Sequence, residues 1–143
     1  MRWSSSNPRA RAAAVALLAV AALPAACSQR TTRYWVPSPE NPRWTPEQAT
    51  EVLERYLRVQ CPQLREAKKP DTGETTATVS VDAAGLVTRA SLGSSTGDET
   101  LDGLLGTVAA QLVLGEGSAE RKVLLGYSCG ASGAVVGTVH PQT

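Results

Sequence analysis

The sequence predicts a small α+β domain: an antiparallel sheet of three strands, or four, with two helices on one face. Three observations carry this reading. Two stretches repeat apolar residues at helical spacing behind a capping residue. Three shorter runs between residues 75 and 129 alternate apolar with polar side chains, the period of a half-buried strand. The first two runs are joined by Asp82-Ala83-Ala84-Gly85, a turn so tight that they must be antiparallel.

The first helix opens at Thr45. Its hydroxyl suits the N-cap, Pro46 suits the first helical position, and Gln48 completes the spacing of a capping box. Ala49, Val52, Leu53, Tyr56 and Leu57 form one apolar stripe, while Glu51 with Arg55 and Glu54 with Arg58 are i,i+4 pairs in the favourable order. Pro62 is expected to end the helix just past Cys61. Arg65, Lys68 and Lys69 then fall in a solvated loop.

The first strand is expected over 75–81, with Ala77, Val79 and Val81 on its buried side. The second, over 86–92, places Val87 on one parity and Ala90 and Leu92 on the other, which predicts a bulge. Ser94-Ser95-Thr96-Gly97 interrupts it, and Asp98 caps a second helix carrying Leu101, Leu104, Leu105, Val108 and Leu112. The other side of that helix is small: Gly103, Gly106, Thr107 and Ala110. Either a close partner, the first helix or a second copy of the chain, covers this side, or the smoothness only reflects composition. Gly115 and Gly117 close the helical region. The third strand buries Val123, Leu125, Tyr127 and Cys129, and a turn at 130–133 leads to a short fourth candidate over 134–139.

The N-terminus has a different character. Arg2, Arg9 and Arg11 precede residues 12–23, almost all Ala, Val and Leu, and small residues then lead to Cys27. This is the three-part layout of a secretory signal, too short to span a bilayer, which needs roughly 20 apolar residues. The end, Leu23-Pro24-Ala25-Ala26-Cys27, resembles the lipobox of bacterial lipoproteins, although Pro24 stands where that family prefers Leu. The resemblance implies that residues 1–26 are removed, that Cys27 becomes the N-terminus, and that its sulfur carries the membrane lipid. Ordinary cleavage after Ala25 or Ala26, releasing a soluble protein, is the alternative. Ser28 lacks the Asp that often retains such proteins at the inner membrane, which points to the outer membrane, facing the periplasm.

Three cysteines in an exported chain leave one unpaired unless one is lipidated. With Cys27 taken, Cys61 and Cys129 are expected to pair in an oxidising compartment. Removing residues 1–26 takes three Arg and no acid, so 11 Lys and Arg face 13 Asp and Glu, a formal net charge of −2. A mildly acidic domain with no basic patch is a poor nucleic-acid ligand. Residues 27–44 read as the lipidated end and a tether. Pro37, Pro39 and Pro42 favour extended backbone with a reach of about 50 Å. Tyr34, Trp35 and Trp44, with Arg30 and Arg33 nearby, either sit at lipid headgroups or pack onto the domain.

Val79-Ser80-Val81-Asp82-Ala83-Ala84-Gly85-Leu86-Val87, then Ser94-Ser95-Thr96-Gly97 and Leu101-Asp102, resemble the C-terminal domain of TonB and its relatives. The likeness covers about residues 75–128. It implies a domain over 45–143 that binds an envelope protein by adding the partner's strand to an open sheet edge. The candidate edge is the third strand, 121–129, or the segment after it. If residues 134–139 cover that edge, the domain is purely structural. The chain departs from TonB itself, which has an uncleaved membrane helix and a long Pro-rich spacer. The family's aromatic-Pro segment is replaced here by Val113-Leu114-Gly115-Glu116-Gly117.

Catalytic motifs are weak. Gly126-Tyr127-Ser128-Cys129-Gly130 matches G-x-S-x-G, but a nucleophile elbow needs a helix after the serine, then an acid and a histidine in order. No acid follows Ser128, and His140 lies in the tail. One histidine and two paired cysteines do not make a zinc site. Asp82, Asp98 and Asp102 have turn and capping duties. No catalytic residue and no cofactor are indicated.

Overall fold

The computed structural model describes residues 32–142; the signal-like segment, Cys27 and Arg30 lie outside the described residues. Helix α1 spans Pro46–Glu66 and opens as its capping box predicts: the Thr45 hydroxyl accepts the Gln48 N–H at 3.3 Å, and the Gln48 side chain accepts the Thr45 N–H at 3.1 Å. It does not stop at Pro62. Proline removes one intrahelical bond, a cost of about 3 kcal/mol, but the helix continues to Glu66. Arg58, whose carbonyl loses its partner, is on the exposed side, while Cys61 and Leu64 beyond it are buried. The buried stripe is therefore Ala49, Leu53, Leu57, Cys61 and Leu64, and Tyr56 is exposed.

The four strands are β1 (Thr72–Val81), β2 (Val87–Leu92), β3 (Glu120–Cys129) and β4 (Val135–Pro141). They form one antiparallel sheet in the order β2-β1-β3-β4. The predicted bulge is present: Ser80 faces Arg89 and Val81 faces Val87, so Thr88 is the extra residue, and Val87 and Ala90 both reach the core. At the turn Gly85 adopts φ +86°, and Asp82 accepts the N–H groups of Ala84 and Leu86 at 2.9 and 3.0 Å. The fourth strand is fully formed.

Helix α2 spans Glu99–Ala110, capped by Asp98, which accepts the Leu101 N–H at 2.8 Å. It ends before Leu112, which lies beyond the helix yet is fully buried. Both helices pack on one sheet face, the core filling between them with Leu53, Leu57, Leu105, Val79, Val123 and Leu125. The opposite face carries Thr76, Thr78, Ser80, Lys122, Leu124 and Thr138. Cys61 of α1 and Cys129 at the end of β3 form a disulfide, their Cα atoms 5.7 Å apart, which ties the helical layer to the sheet.

The segment before α1 is not a free tether from residue 33 onward; it belongs to the same compact unit as the domain. Trp35 exchanges both backbone hydrogen bonds with Ala90 on the outside of β2, at 2.8 and 2.9 Å. Trp44 bridges Leu112, its N–H reaching the Gln111 carbonyl at 2.9 Å. The small side of α2 now has a cause at one position. A Cβ on Gly106 would stand 2.2 Å from the indole of Trp35, so the glycine is the seat for that ring. A segment of the chain's own N-terminal strap, and neither α1 nor a second copy, covers α2 there.

Candidate functional site

Strand addition requires an edge with unpaired backbone groups. Of the two predicted candidates, β3 is not an edge, because it lies between β1 and β4, whereas the segment after it, β4, is one. The apolar alternation that marked β3 as a strand is equally satisfied in the middle of a sheet, and the Gly130–Gly133 turn lets residues 135–141 fold back along it. The true edges are β2 and β4; β2 is covered by other parts of the chain, whereas β4 is engaged at one position, Gly137. On β2, the Val87 N–H reaches the Leu112 carbonyl at 3.1 Å, the Val87 carbonyl accepts Arg43 at 2.7 Å, and Ala90 is bonded to Trp35. On β4, the Gly137 N–H donates to the Glu54 carboxylate at 3.0 Å, and Pro141, in the same phase of the ladder, has no N–H. Glu54 is thus drawn to the sheet edge and not to Arg58.

The strap is held by one residue that the sequence pattern did not single out. Gln111 is 1% exposed, and its amide is fully engaged with backbone. Its oxygen accepts the Ser38 N–H at 2.6 Å, and its nitrogen donates to the carbonyls of Asn41 and Pro42 at 3.2 and 3.0 Å. The only signal was a single polar residue inside Ala109-Ala110-Gln111-Leu112-Val113, read as the last turn of a helix.

Along the strap, neighbouring side chains alternate in direction. Trp35 turns toward Gly106 and the core, while Tyr34 is 50% and Val36 is 69% exposed. Two guanidinium groups stack on the aromatic rings, Arg33 over Trp35 at 4.7 Å and Arg89 over Tyr34 at 4.4 Å. A separate groove of about 340 Å³ lies between the helices, with Trp44, Tyr56, Leu104 and Val108 as its apolar lining and Gly103 leaving it open.

Arg65, expected in a loop, lies in the last turn of α1, and the basic residues there and just beyond are engaged with the rest of the domain. Arg65 donates to the Gly130 carbonyl, and Lys69 pairs with Asp98 at 2.7 Å. The Lys69 hydrogen bond, helped by the Leu101 N–H and the ammonium charge, holds the Asp98 carboxyl below its usual value against the opposing effect of burial. A lowered folded-state value means this stabilisation is present above the unfolded pKa, 3.8, and fades as pH falls through the folded value. We expect Asp98→Asn, which keeps a capping oxygen, to flatten this part of the acid limb in urea titrations below about pH 4. Asp102 accepts the N–H and hydroxyl of Thr96 at 2.7 and 2.6 Å, a turn duty. Tyr127 donates to the Pro70 carbonyl at 3.1 Å; burial first, then the charges of Asp98, Asp71 and Asp102, raise its pKa.

Ser128 and His140 are not brought together. Ser128 faces Val136 across the β3–β4 ladder, and His140 faces Leu124, four residues along, a separation of about 13 Å. Ser128 lies within β3 and not at a strand-to-helix turn. Among the described residues no cluster of three His, Cys, Asp or Glu is placed to hold a metal, and no helix is long and apolar enough to cross a membrane. Comparison of the chain with protein-family models, curated proteins and solved structures returned no match.

Proposed function

We propose that this chain is an exported protein held at a membrane by lipid on Cys27, whose disulfide-closed domain binds another protein of the cell envelope. The observation that carries the reading is the partition of the cysteines. Cys61 and Cys129 are bonded to each other, which leaves Cys27, directly behind the small residues of a signal-like segment, as the odd thiol. Ser28 after it favours the outer membrane, facing the periplasm.

The resemblance to TonB C-terminal domains supports a binding role, but the mode is not strand addition at β3. With β2 covered and β4 engaged at Gly137, the groove lined by Trp44, Tyr56 and Leu104 offers a concave apolar surface for side-chain binding. An apolar side chain of the partner would fill it. The covered edge of β2 also favours a second reading, an envelope lipoprotein with a structural domain and no partner.

Cell fractionation tests the anchor. The native chain should stay with membranes through a high-salt wash, and Cys27→Ser should move to the soluble fraction. Equal partition of the two would remove the anchor. A photo-crosslinking residue at Thr107, which lines the groove, should give a discrete adduct absent when it is placed at Thr78 on the open sheet face. No adduct at either position would favour the structural reading.

A further inference from the structure

We propose that the outer edge of the strap, with Tyr34, Val36 and Arg89 on one side and Arg33 on the other, rests on the anionic headgroups of the bilayer that holds the lipid, so that the domain lies against the membrane in one orientation. This deepens the anchor reading and rests on it. The sequence alone allows a tether of 17 residues after Cys27. The structure shortens it, because the chain joins the domain at Arg33 and is bonded to β2 at Trp35. Five residues, 28–32, then separate the lipidated cysteine from the domain. Whatever their conformation, six residue steps span at most about 20 Å. The side of the domain where the strap enters is therefore confined to the headgroup zone.

That side has the chemistry a headgroup layer takes. Tyr34 and Val36 are exposed because the alternation that seats Trp35 against Gly106 turns them outward. Arg89 meets Tyr34 from β2 and Arg33 lies over Trp35, so one cation stands on each side of the strap's outer edge. Segments 33–36 and 88–91 contain no acidic residue, in a mature chain whose net charge is −2. An aromatic ring with arginine beside it is the pattern favoured at the interface, and each arginine gains from anionic lipid within a Debye length. In free solution such a patch would bind weakly. The short tether makes the contact intramolecular, at an effective concentration in the millimolar range.

The test couples the Cys27 thiol of the mature chain to a maleimide phospholipid in nanodiscs that carry a gadolinium-chelating lipid, and follows amide NMR broadening. This places the domain at its tether length whether or not the native protein is acylated. In phosphatidylglycerol discs the amides of 34–36 and 88–91 should broaden together. The pattern should weaken in phosphatidylcholine discs and at high salt. Arg33→Gln with Arg89→Gln should lower the ratio of docked to undocked domain roughly 30-fold, whereas Arg55→Gln with Arg58→Gln, on the exposed side of α1, should leave it unchanged. Broadening that is the same in both lipids, that centres on the turn at 131–134, or that both double variants reduce alike would overturn the proposal. So would a dimer, formed without discs and dissolved by Tyr34→Ser, because the patch would then seal a second copy. The source of the native anchor is read separately, from the mass of the protein isolated from cells: an unacylated mass would sink the anchor reading, while docking in the coupled discs would still establish the surface.

Discussion

Replacing Cys61 and Cys129 together by alanine is expected to lower stability by about 4 kcal/mol. The bond closes a loop of 68 residues, most of the domain, and in the chain-entropy picture a loop of that size restricts the unfolded ensemble by about this amount. A domain this small has a net stability on the order of 5–15 kcal/mol, so the loss would be a large fraction of the whole. The structure also places the bond where its loss matters in the native state. Cys61 sits one residue before Pro62, at the point where α1 gives up a backbone hydrogen bond, and the bond pins that turn to the end of β3. Urea titration of the oxidised wild type against the double variant measures the effect. Midpoints that coincide would show that packing alone holds the helix to the sheet. The variant should also exchange amide protons faster in residues 62–66 than in 46–57, since the turns before Pro62 keep their packing.

Gln111→Ala is the second large effect expected. The substitution strips partners from the Ser38 N–H and the carbonyls of Asn41 and Pro42, and leaves a void where a side chain is 1% exposed. Each unsatisfied buried group costs about 1–3 kcal/mol, partly relieved here because the strap can open to water. A net loss of about 2–4 kcal/mol follows, with a symptom that a simple core truncation would not give: limited proteolysis within 36–43 before the rest of the domain is cut. Gln111→Glu keeps the shape and the oxygen but loses the amide donors to Asn41 and Pro42, and should be intermediate at neutral pH. Protection of 36–43 in Gln111→Ala equal to the wild type would show that Trp35 and Trp44 suffice to hold the strap.

Much of this fold was legible because local chemistry and tertiary structure agree. The caps at Thr45 and Asp98, the turn at Gly85 and the bulge at Thr88 each follow from residue types within a few positions. So does the burial of Val123, Leu125, Tyr127 and Cys129. What could not be read locally is what depends on partners distant in the chain. Pro62 reads as a stop, yet burial of Leu64 and the bond at Cys61 carry the helix past it. Leu112 continues the helical spacing by coincidence and is instead bridged to Trp44. Glu54 has the spacing of an ion pair with Arg58, but an exposed pair is worth little, and the Gly137 N–H at the edge of β4 takes the carboxylate.

The candidate surfaces were less legible than the fold, for the same reason. Prolines made residues 28–44 look like a spacer, and proline does favour extended backbone. An extended segment is also what an edge strand can pair with, and Trp35 supplies the ring that Gly106 has room for. Composition cannot distinguish a spacer from a strap; the distinction lies in a glycine and a glutamine some 70 residues away. Likewise β3 carries a clear strand pattern that says nothing about whether the strand is central or at an edge.

The most direct measurement is the intact mass of the mature protein extracted from its membrane, taken before and after alkylation without reduction. Lipidation of Cys27 predicts an N-terminus at residue 27, added mass of two or more acyl chains, and no thiol available to the alkylating agent. An unmodified polypeptide in the soluble fraction, alkylated once at residue 27, would contradict it.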